Sequence, residues 1–118
     1  MGDSQERRKH KRVEGFFEVF VNLNPELPEQ FYCSSRDISE GGMRIRTTKP
    51  LKDGNHAILT FNLPNYSEKI TAHVVVSWAS SVPKEDGTFD AGVKFLILND
   101  TELEAIRTYV SLHTEKMA

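Results

Sequence analysis

Cysteine is all but missing from this chain: Cys33 stands alone among 118 residues. A single thiol excludes an intrachain disulfide and a cysteine-built zinc site. Long apolar runs are missing too. No stretch is long enough to span a bilayer, and none near the N-terminus has the form of a signal peptide. The expected location is therefore the cytoplasm, without membrane insertion. Met1-Gly2 opens like a myristoylation site, but Glu6 occupies the place that motif reserves for Ser or Thr.

Reactive constellations are equally sparse. His10, His56, His73 and His113 lie far apart with no ligand spacing such as H-E-x-x-H, so no metal site is expected. Ser39 has no G-x-S-x-G context for a nucleophile. Cys33 falls in a predicted strand, where an inert packed thiol is expected. No acid–base or nucleophilic group of residues is visible, so no catalytic residue is assigned and no enzyme is expected.

Hydrophobic residues make up 38% of the chain and charged residues 27%. That is enough apolar material for the core of one domain, and too much for a wholly disordered chain. Positive charge is in short supply except in one place. "RRKHKR" at 7–12 holds five of the 15 lysines and arginines, and the other ten face 17 Asp and Glu. Beyond Met1 and Gly2, residues 1–12 are all polar or charged. They cannot bury a core and are expected to form a flexible basic arm.

From Val13 the pattern changes. Phe16, Phe17, Val19, Phe20 and Val21 form a β-favouring run, read as a first strand. "NLNPELPEQ" (22–30) reads as a loop, and Phe31 to Arg36 as a second strand. Met43 and Ile45 alternate with Arg44 and Arg46, the period of a half-buried strand. "KDGN" (52–55) is a turn whose glycine supplies positive φ. Ala57, Leu59, Phe61 and Leu63 alternate until Pro64-Asn65. Ile70, Ala72, Val74, Val76 and Trp78 give the longest clean alternation, which places Trp78 in the core and His73 and Ser77 on the opposite face. A loop at 80–87 precedes a last strand with Phe89, Ala91, Val93 and Phe95. Leu103, Ile106 and Val110 then take helical spacing, with a capping box available from Thr101 and Glu104 or from Asn99 and Glu102. The expected fold is all-β with a C-terminal helix at about 100–113: a small antiparallel barrel or sandwich of six strands over residues 13–118.

"RDISEGGMR" (36–44) sits between two predicted strands. Asp37 offers a carboxylate that can accept from the N–H edge of a guanine. Ser39 and free backbone N–H groups can donate to phosphate, and Gly41-Gly42 let backbone approach a ligand. The plain alternative is a tight hairpin, for which Asp, Ser and Gly all have turn chemistry. The basic arm has its own plain reading as a solvated tail or a generic nucleic-acid patch. Its arginines matter because a planar guanidinium makes bidentate contacts to phosphate and guanine and stacks on bases.

Together, "RKHKR" (8–12) fits R-x-x-x-R and "DISEGG" (37–42) fits D-x-S-x-x-G. This pair, in this order and with a strand between, resembles the PilZ domain family of bacterial cyclic di-GMP receptors. "VVVSW" (74–78) and "GVKF" (92–95) fall where that family commonly has similar strands. The resemblance runs from Glu6 to the helix. It implies a six-stranded antiparallel β-barrel and a ligand, cyclic di-GMP, with no cofactor. Arg8 and Arg12 would clamp phosphates and guanine faces. Asp37 and Ser39 would bind a guanine edge and phosphate, and Gly41 and Gly42 would keep the backbone close. Arg7, directly before the motif, implies two mutually intercalated ligand molecules per chain. The ligand-ordered arm would then present a new surface to an unidentified downstream protein. The acidic remainder disfavours a generic polyanion, so no nucleic acid is expected. Two rivals stay open: a small-barrel nucleic-acid-binding protein using the basic arm, and a PilZ-like adaptor that no longer binds nucleotide.

Overall fold

The alternation of Ile70, Ala72, Val74 and Val76 becomes one of the two longest walls of the barrel, with all four side chains buried. In a computed structural model, residues 10–23 and 30–117 are described, with side chains up to 114. The strands are β1 (Val13–Glu14), β2 (Glu18–Asn22), β3 (Gln30–Ser39), β4 (Gly42–Thr47), β5 (His56–Phe61), β6 (Ile70–Ala79) and β7 (Phe89–Ile97), followed by helix α1 (Asp100–Met117). The pairing order is β1-β3-β2-β5-β6-β7-β4, and a β3–β4 pairing closes the ring. Strands β2 to β7 thus form the expected closed six-stranded antiparallel barrel, with β1 as a short addition on β3. Residues 24–29, part of the loop read at 22–30, lie outside the described residues.

Inward residues fill the barrel: Val19, Ile38, Met43, Ile45, Leu59, Phe61 and Val93 are among those almost fully buried. Each such aliphatic side chain contributes about 1.5–3 kcal/mol by leaving water. The glycine of the 52–55 turn has the expected positive φ: Gly54 is at 85°. The helix packs on β1 and β3 through Ala105, Ile106, Tyr109 and Val110. Its start settles the capping choice. Glu102 N–H donates to Asn99 Oδ1 at 2.7 Å, and Asn99 N–H donates to Glu102 Oε1 at 3.4 Å. Glu102 Oε2 also accepts from Thr71 N–H, so the buried cap ties the helix to β6.

Three local features depart from the sequence reading. The strand read from Phe16 to Val21 starts only at Glu18, and a short β1 precedes it, because the regular ladder with β3 is interrupted at Gly15–Phe17, where the Ser35 hydroxyl bridges the backbone. Ser35 Oγ accepts from Phe17 N–H at 2.7 Å and donates to the Gly15 carbonyl. Phe16 is consequently 61% exposed, beneath the Arg36 guanidinium. The second strand runs on to Ser39, so the motif's Asp37 and Ser39 belong to a strand end and only Glu40-Gly41 form the turn. Trp78, expected in the core, is 42% exposed. A bulge is responsible: Val76 pairs with Val93 while Trp78 pairs with Gly92, so two steps on β6 match one on β7. The extra residue breaks the period and turns the indole outward.

Candidate functional site

The outward residues of β3, β4 and β7 build a charged wall. Strand pairing sets Asp37 opposite Arg44, Arg44 opposite Gly92, and Arg46 opposite Asp90. Arg44 Nε donates to Asp37 Oδ2 at 2.9 Å, and Arg44 Nη1 lies 3.5 Å from Asp90 Oδ2. Arg46 Nε donates to Asp90 Oδ1 at 2.9 Å, and Lys84 Nζ lies 3.3 Å from Asp90 Oδ2. Burial pushes the Asp90 carboxyl's pKa up, but the Arg46 and Lys84 hydrogen bonds outweigh it and leave the carboxyl below its usual range. Arg46 is correspondingly raised, chiefly by its hydrogen bond to Asp90.

Asp37 is the least exposed acid of this wall apart from Asp90, and its two oxygens differ. Oδ2 is held by Arg44, while Oδ1 is buried and has no hydrogen-bond donor among the described residues. Arg12 Nη1 stands 3.3 Å from Oδ1, close enough for ion pairing but not aligned as a hydrogen bond. A buried carboxylate oxygen with a lone pair unused is a ready acceptor for an N–H brought from outside.

Ser39 has a local task. Its Oγ accepts from the Gly41 and Gly42 N–H groups at 3.1 and 3.2 Å and donates to the Gly42 carbonyl. The hydroxyl therefore knots the β3–β4 turn. Gly42 is small for a packing reason: a Cβ there would overlap the Val93 carbonyl oxygen of β7. A Cβ on Gly41 would meet the His10 ring, which lies over the turn. Glu40, at the tip, accepts from Arg107 Nε of the helix at 3.1 Å. Arg7 and Arg8 lie outside the described residues; Arg12, Asp37, Ser39, Gly41 and Gly42 are gathered around one hairpin end.

Three participants escaped the sequence reading. Arg44 and Asp90 orient Asp37, yet Asp90 is distant in sequence and meets Arg44 only through the β4–β7 register. The third is Trp78, whose indole covers Gly92 so closely that a Cβ there would overlap the ring. Gly92 was the available signal, because a mid-strand glycine marks a close approach that an aromatic side chain can cover. The result is a half-exposed aromatic plane beside the Arg44 row.

The wall offers guanidinium groups, an unused carboxylate acceptor and an aromatic surface, a set suited to a planar, anionic ligand. Nucleophilic chemistry finds no support in Cys33, whose thiol is pushed up to about 12 by burial. Among the described residues, no three His, Cys, Asp or Glu converge on a metal position. No described helix is long and apolar enough to cross a membrane.

The sequence profile of the PilZ domain matches residues 6–112. No curated protein matches the chain. Among solved structures, the chain is similar to the Bacillus subtilis inhibitor of motility MotI (DgrA), at 20% identity and a TM-score of 0.78, covering 93% of this chain and 52% of that one. It is similar to the PilZ domain of Escherichia coli YcgR with c-di-GMP, at 16% identity and a TM-score of 0.71, covering 94% of each. A third similar structure is the K. pneumonia MrkH–c-di-GMP complex, at 19% identity and a TM-score of 0.64, covering 95% of this chain and 56% of that one. The chain thus spans about half the length of the MotI and MrkH chains. At these identities the structures speak to the fold, and the profile, which spans most of the chain, speaks to descent: this chain belongs to the PilZ domain family, whose members are receptor and adaptor domains for cyclic di-GMP.

Proposed function

We propose that this chain is a cytoplasmic, non-enzymatic receptor for cyclic di-GMP. The observation that carries the reading is Asp37. Its Oδ1 is buried and receives no hydrogen bond from the described residues, its Oδ2 is fixed by Arg44, and an arginine of the R-x-x-x-R motif already stands beside it. In this reading Asp37 Oδ1 accepts from a guanine N–H edge, and Arg12 turns from Asp37 to the ligand's phosphate or guanine face. Arg7 and Arg8 complete the clamp. Ser39 holds the turn by accepting from the Gly41 and Gly42 N–H groups, and the two glycines keep the backbone of the turn low enough for the ligand to approach. Trp78 adds a face on which a purine can stack, an interaction worth about 1–3 kcal/mol per base.

Residues 1–12 act as the arm and residues 13–118 as the platform. Two intercalated ligand molecules bring four phosphate charges together, for which Arg7 supplies a third guanidinium. Closure of the arm over them creates the surface that a downstream protein reads. The ligand drives this only through its preference for the closed state.

Calorimetric titration with cyclic di-GMP, GTP, cyclic GMP and a short oligonucleotide tests the proposal. Saturable binding of cyclic di-GMP alone is expected. Preference for the oligonucleotide, with affinity falling steeply in salt, would instead favour a nucleic-acid partner. Absence of any binding would favour an adaptor that works through protein contacts only.

A further inference from the structure

Strands β5 and β6 bring together two histidines that are separated by 16 intervening positions in the chain. His56 pairs in register with Val75, and His73 with Ile58, so the two imidazoles are diagonal neighbours on the outer face. Diagonal neighbours on an antiparallel pair are within reach of long side chains. Here His56 Nδ1 and His73 Nε2 are 3.2 Å apart, with ring centroids at 5.3 Å and ring planes at 64°. His56 is exposed and His73 half-buried, so an ion can arrive from solvent.

We propose that His56 and His73 form a two-imidazole chelate for a borderline divalent transition-metal ion such as Zn(II), Ni(II) or Cu(II). The spacing carries the inference. Two nitrogens each bound at about 2.0–2.1 Å, with a bond angle between square and tetrahedral, are about 2.9–3.4 Å apart. The observed separation falls inside that window, on a ladder whose backbone pairing fixes both Cα positions in advance. A hydrogen bond between the two rings has the same spacing; the metal takes its place when the donating ring switches tautomer, moving its proton to the nitrogen that faces away, so both rings bind as neutral imidazoles with no net proton lost. Imidazole nitrogen selects borderline ions, whereas Mg(II) and Ca(II) require oxygen ligands. No third His, Cys, Asp or Glu of the described residues joins the pair. The remaining coordination positions therefore take water or a donor from a second molecule. This site is on the β5–β6 face, earlier on β6 than Trp78, and does not depend on the nucleotide reading.

Titration of the full chain with Zn(II), followed by calorimetry and thermal melting, tests it. One saturable equivalent is expected, with Ni(II) and Zn(II) weaker than Cu(II) and no binding of Mg(II). The melting midpoint should rise with Zn(II), since a chelate assembled by the fold binds the folded chain preferentially. His56→Ala and His73→Ala should each weaken Zn(II) binding at least tenfold and abolish the shift. His113→Ala should change neither, because that ring is engaged with the Tyr109 carbonyl on the helix. Both strand histidines sit on the outer face, so truncation opens no core cavity; metal-free melts check this, and His56→Gln serves as a second variant. Lack of saturable binding, or unchanged affinity in either strand variant, would overturn the proposal.

Discussion

Arg44 donates from Nε to Asp37 Oδ2 at 2.9 Å, while the buried Oδ1 receives no hydrogen bond from the described residues and has only the Arg12 guanidinium 3.3 Å away. Arg44 is in turn anchored by Asp90, 3.5 Å from its Nη1. The carboxylate is thus oriented before any ligand arrives, which lowers the ordering cost of binding. The arrangement separates two accounts of the site. A patch that attracts anions by charge alone would gain from losing Asp37. A receptor that uses Asp37 as an acceptor would lose.

Asp37→Ala is therefore expected to weaken cyclic di-GMP binding by about tenfold or more, the value of a hydrogen bond to a charged group at roughly 1.5–3 kcal/mol. Calorimetry on wild type and variant, with circular dichroism as a fold check, measures it. Tighter binding by the variant would assign the site to simple charge attraction.

Ser39→Ala acts differently. Removing the hydroxyl strips an acceptor from the Gly41 and Gly42 N–H groups. Unsatisfied donors of this kind cost about 1–3 kcal/mol when buried, so the expected result is a lower denaturation midpoint as well as weaker binding. A variant with unchanged stability would mean that the backbone of the turn holds itself without Ser39.

Much of the barrel was legible because its inward residues obey a period of two. Ala57, Leu59 and Phe61 on β5 and Ile70, Ala72, Val74 and Val76 on β6 are buried as their alternation implies. The helix was legible from Ile106 and Val110, but the choice of Asn99 and Glu102 as the cap is visible only in their reciprocal hydrogen bonds. What failed was register. The bulge before Trp78 moves one residue against its neighbour strand, and local periodicity carries no record of that shift. The same limit hid the His56–His73 contact and the Arg44–Asp90 link, since both arise from pairing between strands distant in sequence. Within the site, Asp37, Ser39 and the glycines were visible as a motif, yet Ser39 and Gly42 also serve the hairpin and the β7 contact.

The Asp90 cluster should write a pH dependence into stability. Its carboxyl is held below the usual range, so the folded state prefers the ionised form more than the unfolded state does. For a depressed carboxylate, the stabilisation is present above the unfolded pKa, about 3.9, and is lost as pH falls through the folded value. Wild type should therefore lose stability relative to Asp90→Asn as pH drops below about 4. Urea midpoints at several pH values measure the difference. Parallel curves for the two proteins would show that Arg46 and Lys84 do not favour the ionised form of Asp90.

Trp78 is the only tryptophan in the chain and stands half-exposed beside the proposed nucleotide wall. Its emission should consequently report ligand binding directly: a guanine stacked on the indole is expected to quench it and to exclude water from its open face. The same signal counts ligands. Titration at protein concentrations well above the dissociation constant should break at two cyclic di-GMP molecules per chain in wild type. In Arg7→Leu the break should move toward one while quenching survives, because one guanidinium fewer faces the four clustered phosphate charges and the remaining arginines still hold a single ligand. Trp78→Phe removes the signal, and calorimetry on that variant should show weakened binding, since the smaller ring offers less stacking area. A wild-type break at one ligand per chain would remove the intercalated pair from the mechanism. Quenching absent despite calorimetric binding would place the guanine away from Trp78.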